Sequence, residues 1–152
     1  MSKLRLSTFL PYRLSIASNA VSKAIAAAYT ERFRLSIPEW RLIAILHEVE
    51  DATQQDLVRA TLMDKVAVSR AAQMLEENRL VARRQDARDG RALRIRLSER
   101  GRALYRRIEP TALEYERRLL AAFGKEEIAQ LSEMLGRLAE AAGRLADEDA
   151  AD

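Results

Sequence analysis

The chain has 152 residues, of which 48% are hydrophobic and 32% charged, and this composition favours one small domain, or a lobe with a helical extension, rich in amphipathic helix. The formal net charge is +3, and the absence of cysteine excludes disulfides, thiolate metal sites and cysteine-based redox sensing. Because the chain has neither a run of about eighteen apolar residues nor a recognisable signal peptide, we expect a cytoplasmic protein that does not contact a membrane.

The first third of the chain predicts three helices. Residues 11–33 form the first, since Pro11 suits a first turn and apolar residues recur at helical spacing up to Tyr29. Ser36 and Glu39 form a capping box, with each side chain bonding the other's backbone N–H, for a second helix that ends near Glu50. A short third helix begins at residues 53–56.

A fourth helix is predicted over residues 65–77, after the capping residue Asp64. Asn78 is expected to adopt the left-handed conformation at its end. The helix should bury one face, made of Val68, Ala71, Ala72 and Leu75. Two strands follow, over residues 80–85 and 92–97, with a turn at Asp89–Gly90. In the second strand we expect Leu93, Ile95 and Leu97 to point inward and Arg94 and Arg96 outward.

Positive charge is concentrated in and after these strands. Residues 79–107 contain 11 arginines and three acidic residues, a local net charge of +8 in a chain of +3. A basic hairpin beside a helix is suited to gripping a polyanion such as DNA. The alternative is a solvated, arginine-rich surface hairpin.

Two long helices complete the prediction. Ser98 caps a fifth helix, about 99–123, which Pro110 should kink, and Gly124 separates it from a last helix, about 125–146, followed by an acidic, frayed tail. The first and last helices carry apolar stripes that one small domain cannot fully cover, which predicts a homodimer; an intramolecular helical cap is the alternative. The fold class is therefore mainly α with a small β-hairpin wing, a winged helix-turn-helix domain plus a helical dimerisation domain.

The fourth helix and the hairpin supply the predicted DNA contacts. A helix that enters a major groove about 12 Å wide needs small or bidentate side chains in its N-terminal half. Val66, Ala67 and Ser69 are small, Arg70 can donate twice to guanine, and Gln73 can pair with adenine. Lys65 can contact phosphate, and Arg88, oriented by Asp86, and Arg91 can reach a minor groove. Taken singly, these residues also fit an ordinary solvated helix face and a generic turn.

Residues 64–101 resemble the signature region of MarR-type transcriptional regulators. The matching residues are Ser69–Arg70, Leu75–Glu76, Leu80–Val81, Arg83, Asp86, Arg88–Asp89, Arg91, Leu97 and Gly101. The chain departs from the pattern at Arg79, where the family usually has glycine, and Asn78 is expected to take over the left-handed position. The resemblance implies a homodimer, joined through the helical region formed by 1–35 and 99–152, whose DNA-binding lobe (36–98) recognises a palindromic operator.

The resemblance also implies an effector at the junction of the lobe and the dimer helices. Tyr12, Arg13, Trp40 and His47 are the distinctive side chains there, and an aromatic surface beside an arginine suits a small aromatic carboxylate. Core or interface positions for the aromatic residues, and simple exposure of Arg13, are the alternatives. The single imidazole of His47, although near acidic residues, is more typical of structure than of metal binding, so we expect no metal and no cofactor.

These predictions converge on a ligand-responsive DNA-binding regulator, read as a repressor. The alternative is a winged-helix protein-interaction module without sequence-specific DNA binding. An enzyme is not expected, because the sequence offers no cysteine nucleophile, no glycine-rich phosphate loop and no evident serine partner for its one histidine.

Overall fold

The computed structural model describes residues 4–151, so residues 1–3 and Asp152 of the predicted dimerisation region lie outside the described residues. Within that part of the chain the helices are α1 (Leu10–Phe33), α2 (Ile37–Val49), α3 (Gln54–Thr61), α4 (Lys65–Glu77), α5 (Glu99–Leu119) and α6 (Lys125–Ala151). The strands are β1 (Asp51–Thr53), β2 (Val81–Gln85) and β3 (Leu93–Leu97). The predicted fold class, mainly α with a small β-hairpin wing, is confirmed.

Two compact units divide the chain, with the boundary between Thr111 and Ala112. The first contains α1 to α4, the sheet and the first part of α5, and the second contains the end of α5 and α6. The division predicted from the sequence is a different one, because it follows function: a DNA-binding lobe, 36–98, and a dimerisation region, 1–35 with 99–152. It stays a prediction.

The core of the first unit orients α4. The face of α4 that the sequence predicted to be buried is buried, and Val68 and Leu75 are fully inaccessible to solvent. They share the core with Leu42 and Leu46 of α2 and with Leu57 of α3. Since burying one aliphatic side chain contributes about 1.5–3 kcal/mol, this packing fixes which face of α4 remains outside.

Side-chain caps set where α2, α3 and α4 begin. At α2 the Glu39 N–H donates to Ser36 Oγ at 3.3 Å, but the Glu39 carboxylate accepts from the Ser36 hydroxyl at 2.8 Å, not from its backbone N–H as predicted. At α3 the box is reciprocal, with Asp56 N–H to Thr53 Oγ1 at 3.1 Å and Thr53 N–H to Asp56 Oδ2 at 2.9 Å. The hydrogen bonds from Thr53, and then from Arg59, lower the pKa of Asp56 to about 2.

The sheet has three antiparallel strands in the order β1-β3-β2, and the sequence analysis missed β1. Ala52 of β1 lies opposite Ile95 of β3, and Val81 of β2 lies opposite Leu97. Ile95 and Leu97 are buried as predicted, but Leu93 is 49% exposed. Leu93 belongs to the end of β3 that extends past the core towards the turn, so its inward orientation was predicted wrongly.

The turn after α4 differs from the prediction in one backbone conformation. Asn78 has φ −81° and its side-chain amide donates to the Met74 carbonyl at 2.8 Å, whereas Arg79 has φ 58°. The left-handed residue is therefore Arg79 itself. Its N–H donates to the Glu76 carbonyl at 2.9 Å and the next N–H, of Leu80, donates to the Leu75 carbonyl at 2.8 Å, which ends the helix.

This turn is bonded directly to the start of α5. Ser98 caps α5 by accepting from the Gly101 N–H at 3.0 Å, as predicted, and its hydroxyl also donates to the Arg79 carbonyl at 2.7 Å. The Ser98 N–H donates to the Leu80 carbonyl at 3.0 Å. A Cβ on Gly101 would lie 2.0 Å from that same carbonyl oxygen, so only glycine permits the approach.

The second unit consists of the end of α5 and the long helix α6. The fifth helix ends at Leu119, four residues earlier than predicted, and α6 continues through the acidic tail to Ala151, so the predicted frayed tail is wrong. The Gly124 N–H donates to Glu127 Oε2 at 2.7 Å, which caps the start of α6. No residue of α6 is buried within the described chain.

Replacing Arg79 with glycine should stabilise the protein. A left-handed conformation costs a residue with a Cβ roughly 1–2 kcal/mol, and the greater freedom of glycine in the unfolded chain offsets part of that gain. We expect Arg79→Gly to raise the free energy of unfolding by about 0.5–1 kcal/mol in urea denaturation.

Asn78→Gly is the matched control. Asn78 has an ordinary backbone conformation and donates to Met74, so its replacement should lower the free energy of unfolding. A loss of stability in both variants would contradict the assignment of Arg79 as the strained position.

Candidate nucleic-acid interface

The outer face of α4 presents the side chains that the sequence predicted to contact DNA. Lys65, Val66, Ser69, Arg70 and Gln73 are exposed, and Ala67 is half-buried. The helix starts at Lys65 because the Asp64 carboxylate accepts from the Ala67 N–H at 2.8 Å. The structure thus brings these six residues together on one accessible surface.

Arg70 and Gln73 differ in how available their donors are. Arg70 forms no ion pair with any residue in 4–151. The Gln73 side-chain amide donates to Glu77 Oε1 at 3.0 Å, one helical turn away. Arg70 is therefore ready to donate to a base edge, whereas Gln73 has to exchange an existing hydrogen bond to do so.

The loop between β2 and β3, residues 86–92, is shaped by its own aspartates and is called the wing loop here. Asp86 Oδ1 accepts from the backbone N–H of Arg88 at 2.8 Å and of Asp89 at 3.4 Å. Asp89 Oδ1 accepts from the Arg91 N–H at 3.0 Å, and Gln85 Nε2 donates to the Gly90 carbonyl at 2.6 Å. These bonds order the loop without using any arginine side chain at its tip.

Arg88 and Arg91 project from this ordered loop. Both are exposed, and neither pairs with a carboxylate in the part of the chain that the structure describes. Asp86 orients Arg88 through the backbone N–H; its bond to a guanidinium is with Arg94 instead. The loop therefore offers two arginine side chains without an ion-pair partner, on a defined backbone.

Arg94 ties the wing to the rest of the sheet. Its Nε and Nη2 donate to Asp51 Oδ1 at 2.8 Å and 2.5 Å, and its Nη1 donates to Asp86 Oδ2 at 3.2 Å. We call Asp51, Asp86 and Arg94 the wing brace, because they join β1, the wing loop and β3. From the sequence, Arg94 was assigned only to the outward face of its strand; the one available signal was the acidic side chain of Asp51, the first residue of the unpredicted strand β1.

The brace changes the acidity of its members. Hydrogen bonds from the Arg94 guanidinium hold the pKa of Asp51 below its usual value, and the pKa of Asp86 is lowered first by the backbone N–H of Arg88 and then by Arg94. The two carboxylates in turn raise the pKa of Arg94, Asp51 having the larger effect. All three groups therefore stay ionised across the neutral range.

Two of the predicted ligand residues meet in an aromatic stack formed by Trp40, Tyr105 and His47. The Tyr105 ring lies 3.8 Å from the His47 ring and 6.0 Å from the Trp40 ring, centroid to centroid, at interplanar angles of 18° and 13°. Burial, and then the charges of Glu109 and Glu48, raise the pKa of the Tyr105 phenol. Tyr105 was not predicted from the sequence; the available signal was an aromatic residue in the second turn of the fifth helix.

The other two, Tyr12 and Arg13, lie elsewhere in the same chain. Tyr12 is 17 residues before Tyr29 on α1, and Tyr29 contacts Trp40 at 4.9 Å between ring centroids. At 1.5 Å per residue, about 25 Å of helix separates Tyr12 from the aromatic stack. Within one protomer the four predicted residues therefore form two separate pairs.

Neither a metal centre nor a membrane helix is present in the described residues. Among residues 4–151, histidine and carboxylate side chains form no cluster of three or more that could hold a metal ion. Over the same range, no helix combines the length and the apolar character needed to cross a bilayer.

Acid should weaken the wing brace. Because the folded-state pKa of Asp51 lies below its ordinary value of 3.8, its contribution to stability is complete above that value and is lost as the pH falls through the lower folded-state pKa. Asp51→Asn should therefore be less stable than the parent protein at pH 7, and this difference in stability should be smaller at pH 3, when chemical denaturation is measured at both pH values.

Glu31→Gln serves as the control for this experiment, since Glu31 is an exposed residue of α1 without an ion pair among the described residues. Its stability should track the parent protein at both pH values. A constant difference between Asp51→Asn and the parent from pH 7 to pH 3 would show that the carboxylate charge of Asp51 is not what stabilises the brace.

Comparison with known proteins identifies the fold and the family. The family model described as the MarR family matches residues 35–92, which contain α2, α3, α4, the strands β1 and β2 and the whole wing loop. The chain is 31% identical to YdgJ, an HTH-type transcriptional regulator of Bacillus subtilis (strain 168), over 121 residues, covering 78% of this chain and 72% of that protein. It is 30% identical to the homoprotocatechuate degradative operon repressor of Escherichia coli over 105 residues, covering 69% and 71%.

The architecture agrees with these relatives. A crystal structure of a MarR/EmrR family transcriptional regulator from Acinetobacter sp. ADP1 superposes with a TM-score of 0.86 at 28% identity, covering 93% of this chain and 99% of that one. The match therefore covers nearly the whole chain. The chain, with the exposed outer face of α4 and its arginine-bearing wing, belongs to the MarR family of transcriptional regulators and is not an enzyme.

Proposed function

We propose that the chain binds a palindromic operator as a homodimer, with α4 in the major groove and the wing loop at the adjacent minor groove. The observation that carries this proposal is the pairing of an exposed, unpaired Arg70 on α4 with Arg88 and Arg91 on a loop held by its own aspartates. Because the backbone that carries these arginines is already ordered, contact with a duplex costs conformational freedom mainly in their side chains.

Each residue of the surface has a chemical role in this proposal. Arg70 donates two hydrogen bonds to a guanine edge, and Gln73 pairs with adenine after it releases Glu77. Lys65 contacts a phosphate at the start of α4. The short side chains of Ala67 and Ser69, together with the modest bulk of Val66, let the helix approach the base edges closely.

The homodimer is supported by apolar faces that the single chain leaves uncovered. In α6 the uncovered residues are Leu131, Met134, Leu135, Leu138 and Leu145, each at least 39% exposed. Leu10 and Ile16 of α1 are 64% and 50% exposed. Rows of exposed leucine on an amphipathic helix are typical of a helix–helix interface. Two lobes joined in this way can contact half-sites about 10 bp apart, one turn of DNA.

The effector in this proposal is a small aromatic carboxylate that releases the repressor from DNA in the cytoplasm. Its ring would pack on the stack of Trp40, Tyr105 and His47, and its acid group would pair with Arg13 beside Tyr12. Because about 25 Å of α1 separates these pairs in one protomer, the α1 that completes the site would come from the partner. The E. coli relative named above, a repressor of an operon for degrading an aromatic acid, supports this ligand class.

Arg88→Ala tests the wing contact. Removing one phosphate-facing cation should weaken binding to every duplex and reduce the slope of log K against log salt by about 0.9. The measurement is a gel-shift titration, from 50 to 200 mM salt, on fragments selected from genomic DNA and on random duplex. Arg118→Ala, an exposed arginine near the end of α5, is the matched control and should leave the slope unchanged.

Arg70→Ala separates base recognition from backbone contact in the same assay. It should flatten the preference among single-base operator variants, at a cost of roughly 1–3 kcal/mol on the preferred site, while random duplex is bound as before.

An unchanged slope for Arg88→Ala would rule out the wing contact. Affinity for random duplex that does not fall with added salt would favour a protein-docking module over DNA binding.

The effector proposal predicts that binding of the aromatic acid depends on the dimer. Sedimentation should give a homodimer, and 3,4-dihydroxyphenylacetate should lower its operator affinity about tenfold or more, equivalent to about 1.4 kcal/mol of coupling. Arg13→Ala should abolish this response without weakening operator binding in the absence of the acid. A response that survives in Arg13→Ala would exclude the completed site, and a monomer at micromolar concentration would exclude the dimer.

A further inference from the structure

A cavity of about 460 Å³ lies in the first unit, away from both the DNA-facing surface and the aromatic stack. The end of α1, the end of α4 and the start of α5 form its walls. Four of its lining residues are arginines, namely Arg32, Arg34, Arg100 and Arg107, and none of the lining residues is acidic. We call it the arginine cavity.

The four guanidinium groups lack internal counter-charges. None of them pairs with a carboxylate in residues 4–151, although nine ion pairs form elsewhere in that range. Two of the four arginines have weak contacts with uncharged groups. Arg32 Nη1 donates to Thr111 Oγ1 at 3.4 Å, and the Arg107 guanidinium lies 6.0 Å from the centroid of the Phe33 ring. Four like charges around one concavity repel each other until an anion binds between them.

Apart from Asn78, the remaining walls are apolar. Leu35 and Leu80 are buried beneath the cavity, at 3% and 6% exposure, and Phe33 and Leu104 are half-buried at its sides. A volume of about 300–1,000 Å³ with apolar walls and a few convergent polar groups is typical of small-molecule sites. An inorganic anion would leave the apolar walls in contact with water, so the walls favour an organic anion whose apolar part can cover them.

The arginine cavity is separate from the proposed effector site. At 100° per residue, Arg100, Ala103 and Arg107 fall on the side of α5 opposite Tyr105, which belongs to the aromatic stack. It is also far from the DNA-facing half of α4, because Asn78, which lines it, lies about 20 Å along the helix from Lys65.

We propose that the arginine cavity binds a small organic anion with a planar apolar body and a carboxylate or phosphate group. The body would lie against Phe33 and Leu104, and the acid group would accept hydrogen bonds from two or more of the four arginines. Guanidinium groups bind carboxylate and phosphate in the same bidentate geometry, so the proposal names their shared chemistry.

The test is calorimetric titration of the full-length protein, without DNA, with two probes, isophthalate and phenyl phosphate, and with dimethyl isophthalate as the uncharged control. At least one acid should bind and the ester should not. Arg34→Ala and Arg107→Ala should each weaken that binding about tenfold, the loss expected for one charged hydrogen bond. Arg41→Ala, an exposed arginine of α2 outside the cavity, should bind as the parent does.

Three results would overturn the proposal. The first is that neither isophthalate nor phenyl phosphate binds, although circular dichroism and thermal melting show that the protein is folded. Binding lost in His47→Ala but kept in Arg34→Ala and Arg107→Ala would place the acid on the aromatic stack. The third is that Arg107→Ala lowers the affinity for duplex DNA in the gel shift, as Arg88→Ala does, but leaves binding of the acid unchanged. That result would assign the arginines to DNA phosphates. Because no DNA is present in the titration, its failure is distinguishable from a failure of operator binding.

Discussion

The contact on which the proposed DNA-binding surface depends is a backbone contact between the turn after α4 and the first turn of α5. The Leu80 carbonyl accepts from the Ser98 N–H, and Gly101 lets the two chain segments approach so closely that a Cβ would overlap the same oxygen. Because β2 begins at Val81, one residue later, this contact sets where the wing starts relative to the end of α4. Main-chain hydrogen bonds thus relate helix to wing more rigidly than long surface side chains could.

One basic segment contains arginines with opposite physical roles, which its net charge cannot reveal. Arg94 is compensated by two carboxylates and holds the sheet together, whereas Arg88 and Arg91, a few residues earlier, have no acidic partner in the described chain. This difference between the arginines follows from the aspartates, since Asp86 accepts from the loop backbone with one carboxylate oxygen and from Arg94 with the other. Which arginines remain available to a ligand is therefore a consequence of where the carboxylates bind.

What could be predicted from the sequence follows the range of the interactions. The bounds of α4 were predicted correctly because Asp64 and the apolar spacing act within a few residues. Strand β1 was missed because its three residues gain their structure by pairing with β3, some 40 residues later. The local preference of Asn78 for a left-handed conformation lost to the tertiary contact at Leu80, which imposes that conformation on Arg79. Tyr105 was missed for the same reason, since only the fold brings it between Trp40 and His47.

The exposed leucines of α6 bear on how a ligand could act at all. A helix of 27 residues with no buried side chain has only marginal stability of its own, so a covering partner would be the source of order there. If that partner is a second copy, the separation of the two α4 helices is a property of the dimer. A ligand then changes operator affinity only by binding one dimer geometry better than another. The residues proposed to bind ligands include Tyr105, Arg100 and Arg107 on α5, the helix whose first turn is bonded to Leu80, so a shift of α5 would be felt where the wing begins.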